Sequence, residues 1–442
     1  MQAIESSGDR HGSSSAPHAS VVGDERRTPT FAFHFHSWKR PVFERYFPNR
    51  QFSFVPMYVS GKAFRSKWCP LILAQGKPEI FVWSQRAPDG LLAFARENAI
   101  PLYFVEDGFV RSAEPSASRT PPLSLTLDSG APYFDARYPT DLERLLLSYD
   151  FELDKQLLAG ARDGIRFLLE TGVSKYNSDT LSDVASLYGE KKGKRILVIG
   201  QVEDDASILY GCDRPFTNND LVRLACQENP GAQIIYKPHP DILNGIRLAQ
   251  SKPADVAHLC TIIDAPLPMA KAFESIDHVY TITSLAGFEA ILRGLKVTVC
   301  GSPFYAGWGL TDDRQRNARR GRPLSAEALF AGAYLLYPRY FDAATGAETS
   351  FEATVQSIRQ RLSAPRSAIA EVRVRRPAWR PWGPYGLLGW RHLLTPLIAP
   401  IIAKIGHERD AEVFRQNPIE FFRELSEEKF RKIGRVLYPF GG

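Results

Sequence analysis

The chain has 442 residues, 44% apolar and 24% charged, an ordinary globular composition. It is too long for one core of about 100–150 residues, so two core-forming domains with added pieces are expected. Fifty-five Lys and Arg against 49 Asp and Glu leave +6. Residues 366–406 alone hold that excess: Arg366, Arg373, Arg375, Arg376, Arg380, Arg391 and Lys404 stand against Glu371. A neutral body with one cationic region argues against a uniformly basic nucleic-acid binder, and no nucleic-acid partner is expected. The cysteines Cys69, Cys212, Cys226, Cys260 and Cys300 are odd in number and form no C-x-x-C pair, which argues against a zinc site or disulfide framework and fits a reducing cytoplasm.

Residues 1–28 are rich in Ser, Gly and charge and lack an apolar h-region, so they read as a disordered tail with no secretory signal. From Phe31 onward, FAFHF, FSFVP, EIFVW and PLYFVED alternate with helix-like stretches such as DGLLAFAREN, the rhythm of an α/β domain with a mostly parallel sheet. TDLERLLLSYDF and DKQLLAGARDGIRFLLETG continue as helices. After the polar run that ends at Lys194, RILVIG begins a second α/β domain containing NNDLVRLACQEN, QIIYKPHPD, DHVYTI, SLAGFEAILRG and KVTVCG. The expected division is 29–190 for the first domain and 191–363 for the second. Two such domains face each other across a cleft at the strand C-terminal ends.

Residues 364–442 differ in composition. Trp379, Trp382 and Trp390 lie among arginines, prolines and glycines, which reads as an interfacial attachment segment for an anionic membrane surface, or else as a Pro-rich strap on the core. No apolar run approaches the roughly 20 residues of a bilayer span. The last stretch has helical spacing at Phe421, Leu425, Phe430 and Ile433.

Several residues carry candidate chemistry. Lys237, His239 and Asp241 follow a β-run, and Pro240 restricts His239 to extended geometry at a strand end. Thr283 and Ser284 open a helix with Gly287 within it and Gly294 at its end. Hydroxyls and free amides there suit phosphate, although plain N-capping by Ser284 explains them equally. Glu203, Asp204 and Asp205 follow the strand RILVIG, and Glu106 and Asp107 end PLYFV in the other domain. Two carboxylates from two domains suit glycosyl transfer, one as nucleophile and one as acceptor of a proton. His34 and His36 alternate on one strand without further ligands at metal spacing and read as surface or packing residues. No metal site is expected, and P-loop, G-x-G-x-x-G, G-x-S-x-G and H-E-x-x-H patterns are absent.

The segments EDGFVRS (106–112), PPLSLTLD (121–128), SKYN (174–177), QVEDDASILYG (201–211), KPHPD (237–241), TSLAGFEAILRG (283–294), GSPFYAGWGLTDD (301–313) and ARRG (318–321) resemble, in this order, the capsular polysaccharide β-Kdo transferases of Gram-negative bacteria. The resemblance covers roughly residues 31–362. It implies two Rossmann-like domains in a GT-B-type arrangement, here with a C-terminal membrane-attachment segment. It also implies retaining, metal-independent transfer of the keto-sugar acid Kdo from CMP-Kdo to a phosphatidylglycerol-based, lipid-linked glycan acceptor in capsule biosynthesis. The location would be the cytoplasmic face of the inner membrane, alongside capsule assembly and export proteins.

Carried over by motif, the catalytic aspartate falls on Asp205 and the HP-motif histidine on His239, while Ser284, Gly287 and Glu289 fall at the CMP site with Lys237 nearby. Glu106 and Asp107 match the acceptor-facing E-D-G segment. Glu106 is expected to deprotonate the acceptor hydroxyl, and Arg111 or Arg86 to hold the sugar carboxylate through two bonds. Two departures stand out. Each motif occurs once, where relatives often carry tandem modules, and the W-G-x-R-P-like turn reads Trp83-Ser84-Gln85-Arg86-Ala87-Pro88. The alternatives are a non-catalytic assembly or export component with the same fold, and a GT-B transferase for another nucleotide sugar.

Overall fold

The computed structural model describes residues 27–113, 120–173, 184–243, 250–265, 267–363, 393–405, 408–416, 418–425 and 428–438. The predicted tail, the SKYN segment and the three tryptophans of the basic region lie outside the described residues, apart from residues 27 and 28 of the tail.

The apolar runs become strands. In the first sheet β1 (Thr28–Phe33), β2 (Arg50–Phe54), β3 (Glu79–Trp83) and β4 (Leu102–Asp107) are parallel, while β5 (Ser124–Asp128) runs antiparallel to β4. Residues Thr30 to Phe33 of β1 are all buried, as expected for a strand covered on both faces. The second sheet holds β6 (Arg195–Ile199), β7 (Gln233–Lys237), β8 (Thr261–Ile262), β9 (His278–Thr281), β10 (Lys296–Val299) and β11 (Asp312–Asp313), all parallel, in the order β11-β10-β9-β6-β7-β8.

The chain then returns to the first sheet. Strands β12 (Arg339–Phe341) and β13 (Glu348–Thr349) pair antiparallel, β12 against β5, to give the order β13-β12-β5-β4-β3-β1-β2. Sheet membership therefore does not follow the division at residue 191: part of 191–363 completes the first sheet. These strands are three and two residues long, too short to leave a period-two signal.

Helices start where the side chains dictate. Helix α1 (Leu91–Glu97) lies between β3 and β4. Thr140 accepts the Glu143 N–H at 3.0 Å to cap α2 (Asp141–Ser148), and Asp154 accepts the Leu157 N–H at 2.9 Å to cap α3 (Lys155–Thr171), which Gly172 closes at φ 64°. Such caps each contribute about 1 kcal/mol. In the second domain α4 (Ala206–Gly211) follows β6, and α5 (Asn218–Glu228) opens with a Thr217–Asp220 capping box. Helix α6 (Leu285–Ile291) follows β9.

One core runs between the sheets: the Phe109 ring lies 4.6 Å from Phe304 and 5.2 Å from Tyr334. Beside it Glu143 of α2 takes hydrogen bonds from Arg319 Nε at 2.6 Å and Arg320 Nε at 2.8 Å. Burial pushes the Glu143 carboxyl up, but these bonds outweigh it and hold the group below the usual carboxylate range. The ARRG segment is thus an inter-domain clamp.

The described C-terminal residues form four helices, α7 (Thr395–Ile405), α8 (Glu408–Gln416), α9 (Pro418–Glu424) and α10 (Glu428–Leu437). They pack around Phe414, Phe421, Phe422 and Tyr438. The stretch with helical spacing is therefore two helices: Phe421 and Leu425 face this core, while Phe430 and Ile433 are exposed. Gly434 is required, since a Cβ there would lie 2.2 Å from Phe422 Cβ. Among the described residues no helix is long and apolar enough to cross a membrane.

Candidate active site

Strand order locates two crevices. In the second sheet the order reverses between β6 and β9, and in the first between β1 and β3. Ligands of open α/β sheets lie beyond the strand C-terminal ends at such reversals.

Beyond β6 the three acids separate by role. Glu203 is buried and accepts from Asn218 N–H at 2.7 Å, from Ser251 N–H at 2.8 Å and from the Ser251 hydroxyl, so it ties the start of α5 to the 251 loop. Asp204 is half-buried. Asp205 is exposed and caps α4: its Oδ1 accepts from the Ser207 N–H at 2.9 Å and the Ser207 hydroxyl at 2.7 Å. Both bonds land on one oxygen, leaving Oδ2 outside the cap. Ser207 in turn lies 3.2 Å from the Thr283 hydroxyl beyond β9, and Gln201 bonds both the Thr283 hydroxyl, at 3.1 Å, and the Thr283 N–H, at 2.8 Å. The reversal point therefore joins Asp205 and the Thr283-Ser284 turn in one hydrogen-bonded unit.

Lys237 ends β7 with its side chain buried, and burial lowers its ammonium pKa. His239 is half-buried and its carbonyl accepts the N–H groups of Ile242 and Leu243, which starts the short turn of helix after Pro240. Ser284 caps α6, its hydroxyl accepting the Ala286 N–H at 3.3 Å. Two further residues named at the CMP site pack against protein. Gly287 makes room for Tyr305, because a Cβ there would lie 2.3 Å from the Tyr305 hydroxyl oxygen. Glu289 is buried within α6, where its charge acts on Arg293 and Tyr334 of the inter-domain core.

In the first sheet Glu106 and Asp107 end β4, both half-buried. Arg111 is 1% exposed and each of its three nitrogens has a partner: Nε donates to Asp107 Oδ2 at 2.7 Å, Nη1 to Ser112 Oγ at 2.7 Å and Nη2 to the Thr120 carbonyl at 2.9 Å. Arg111, named with Arg86 as a candidate for the sugar carboxylate, is here bonded within the protein. Its Nε bond positions Asp107. Arg86, by contrast, is exposed beyond β3 and lies 3.1 Å from His34 Nε2 beyond β1, spanning the first reversal point.

Sequence reasoning missed three residues here. Lys39 is buried with Nζ 2.8 Å from the Trp83 ring centroid. Burial lowers its pKa to about 8, while Asp107 and Glu106 pull it upward. His34, expected to be a surface or packing residue, adopts φ 63° and touches Arg86. Burial keeps its imidazole well below the usual range. His36 lies 3.7 Å from Glu424 of α9. Non-glycine φ above zero leaves no sequence signal, and Lys39 reads locally as a surface lysine.

The two crevices are connected. The Ala136 N–H donates to the Tyr210 carbonyl of α4, Arg137 lies 4.2 Å over the Tyr210 ring, and Asp135 binds both Arg137, at 2.7 Å, and the Gln85 side-chain amide next to Arg86. Asp205's helix is thus fixed to the first domain's strand-end loops. Two concavities among the described residues lie elsewhere, one lined by Arg162, Arg166 and Glu327 and the other by Arg214, Arg223 and Arg314. Among the described residues no group of three or more His, Cys, Asp or Glu is arranged to hold a metal ion.

Residues 79–341 match the family described as "Capsule polysaccharide biosynthesis protein". The lipopolysaccharide-processing protein LpsZ of Rhizobium meliloti is 42% identical over 335 residues, 76% of this chain and 75% of its own length. The capsule polysaccharide modification protein LipA of Neisseria meningitidis is 37% identical over 335 residues, 75% of this chain but 46% of its own length, so the match spans less than half of LipA. Among solved structures, the KpsC β-Kdo 2,4 transferase of Thermosulfurimonas dismutans is similar at TM-score 0.65 and 29% identity, over 75% of this chain and 98% of that one. The β-Kdo 2,7 transferase of the same KpsC is similar at TM-score 0.58 and 31% identity, over 75% and 99%. The strand order, the motif-bearing crevices and these matches lead to one statement: the chain belongs to the capsule polysaccharide biosynthesis protein family.

Proposed function

We propose that the chain is a retaining, metal-independent β-Kdo glycosyltransferase that moves Kdo from CMP-Kdo to a lipid-linked acceptor in capsular polysaccharide biosynthesis. The observation that carries the mechanism is the exposed Asp205 carboxylate at the reversal of the second sheet, hydrogen-bonded into the Thr283-Ser284 turn. Asp205 attacks the anomeric carbon of Kdo. The bond to CMP breaks with its electron pair going to the phosphate, and a glycosyl ester on Asp205 results. His239, Lys237 and the Ser284 turn stabilise the charge on the departing phosphate.

Glu106 then takes the proton of the acceptor hydroxyl, whose oxygen attacks the same carbon and releases Asp205. Two inversions at one carbon give net retention. Arg86 is the exposed guanidinium suited to the sugar carboxylate, while Arg111 and Lys39 hold the acidic pair of β4 in place. The acceptor's lipid, the capsule assembly and export partners, and attachment of residues 364–406 to the cytoplasmic face of the inner membrane complete this reading. Residues 29–190 would serve the acceptor and 191–363 the donor.

The test is an intact mass spectrum after incubation with CMP-Kdo and no acceptor. A Kdo adduct on the wild-type chain that is absent from Asp205→Asn supports the double displacement. Turnover by wild type together with near-normal turnover by Asp205→Asn overturns it.

A further inference from the structure

Leu393, Leu397, Ile401 and Ile405 are 74%, 68%, 55% and 73% exposed. Spaced by four, they line one side of α7 and the turn before it. Ile398, Ala399 and Ile402 turn the other way, into the core of the helical unit. Helix α10 repeats the division: Phe430, Ile433 and Val436 are exposed, while Gly434 and Tyr438 are buried. The Thr395 and Tyr438 hydroxyls, 3.1 Å apart, join the start of α7 to the end of α10. Single exposed apolar residues are ordinary; six on two connected helices, with Leu393 just before the first, are not.

Charge follows the same division. Helix α10 carries Lys429, Arg431, Lys432 and Arg435 against Glu428, and α7 carries Lys404 without an acid. Helices α8 and α9, which bear none of the exposed apolar residues, are each net −1. Apolar stripes edged by Lys and Arg fit an anionic bilayer, where the aliphatic chains enter the acyl boundary and the cations meet headgroup phosphates. A second copy of the same face would instead oppose like charges.

The unit is also fixed relative to the first crevice. Glu424 of α9 is 3% exposed and accepts the Ser37 N–H at 3.0 Å, and Phe421 lies 4.4 Å from the Tyr58 ring. Ser37 is two residues from Lys39, which faces Glu106 and Asp107 electrostatically. We propose that α7 and α10 form a docking surface for an anionic lipid bilayer, with α9 anchoring them so that the β4 end keeps one orientation to the membrane. It deepens the attachment proposed for residues 364–406 by naming α7 and adding α10, and takes no part of its argument from Trp379, Trp382 and Trp390. It draws on the lipid-linked acceptor reading only for the value of that orientation, because vesicle binding needs neither donor nor acceptor.

The test uses the full chain with vesicles of phosphatidylcholine alone or with 30% phosphatidylglycerol, a mixture set by the need for anionic headgroups. Wild type should sediment with the anionic vesicles, and vesicles should slow hydrogen exchange in 393–405 and 428–438. The exposed pair Leu397→Gln/Ile401→Gln should lower partitioning about tenfold or more and leave transfer to a water-soluble acceptor unchanged. Unchanged sedimentation of the pair, or protection confined to 364–392, overturns the proposal. So does concentration-dependent dimerisation of wild type that the pair abolishes. Loss of transfer in wild type with vesicle binding intact would count against the transferase reading and leave the docking surface standing.

Discussion

The two crevices occupy equivalent places at the reversals of two open sheets, yet they handle charge differently. In the first, Asp107, Arg111, Lys39, Trp83, His34 and Arg86 engage one another, and most of them are buried or half-buried. In the second, the Asp205 carboxylate stays exposed and, among the described residues, is held through its capping bonds to Ser207. A buried charge left without its partner is strongly destabilising, so the first crevice constrains stability as well as chemistry. An exposed, capped carboxylate can be changed without that penalty. The same topology thus builds a pre-set acidic wall on one side and an accessible reactive group on the other.

This contrast is open to attack by substitution. Asp205→Asn should lower kcat/KM at least a thousandfold, about 4 kcal/mol, while the melting temperature moves little. A variant that unfolds, or one that turns over normally, breaks the comparison on the donor side. Arg111→Ala should do the reverse and cost about 3–5 kcal/mol in urea unfolding, since Asp107 loses its buried partner. Full stability with a raised donor KM would show that Arg111 serves the substrate after all.

Smaller effects sharpen the picture. Glu143→Gln weakens the clamp to Arg319 and Arg320 and should cost about 1.5–3 kcal/mol, the range for hydrogen bonds to charged groups. Calorimetry should then show the two domains unfolding less cooperatively. His239→Ala should reduce kcat/KM by about 10–100-fold through loss of a charge-assisted contact to the leaving phosphate, with weaker CMP binding by titration calorimetry. The smallest effect concerns His278, whose pKa burial lowers to about 4. The folded state favours its neutral form, so that contribution is complete above the unfolded value near 6.5 and is lost as pH falls from there toward 4. His278→Asn should flatten the stability profile across that window.

Much of this was legible along the chain. Buried parallel strands are continuous apolar runs, so β1, β3, β4, β6, β7, β9 and β10 coincide with FAFHF, EIFVW, PLYFVED, RILVIG, QIIYKPHPD, DHVYTI and KVTVCG. The position of Asp205 beyond a strand end was legible for the same reason. Its separation from Glu203 was not, because three adjacent acids look alike until Asn218 and Ser251 claim one of them. The protein partners of Arg111 and Gly287 were not legible either, since a motif marks a position without saying what fills the space beside it.

The sequence by itself determined the α/β class, the two-sheet plan and the strand ends that bear the candidate chemistry, because periodicity and capping are local properties. Only the tertiary structure decided that residues 339–349 complete the first sheet and that Lys39 and His34 join the acidic wall. The same holds for Glu424, which bonds Ser37 across 387 positions of chain. Burial and partnership depend on contacts between segments distant in sequence, and no local pattern encodes them.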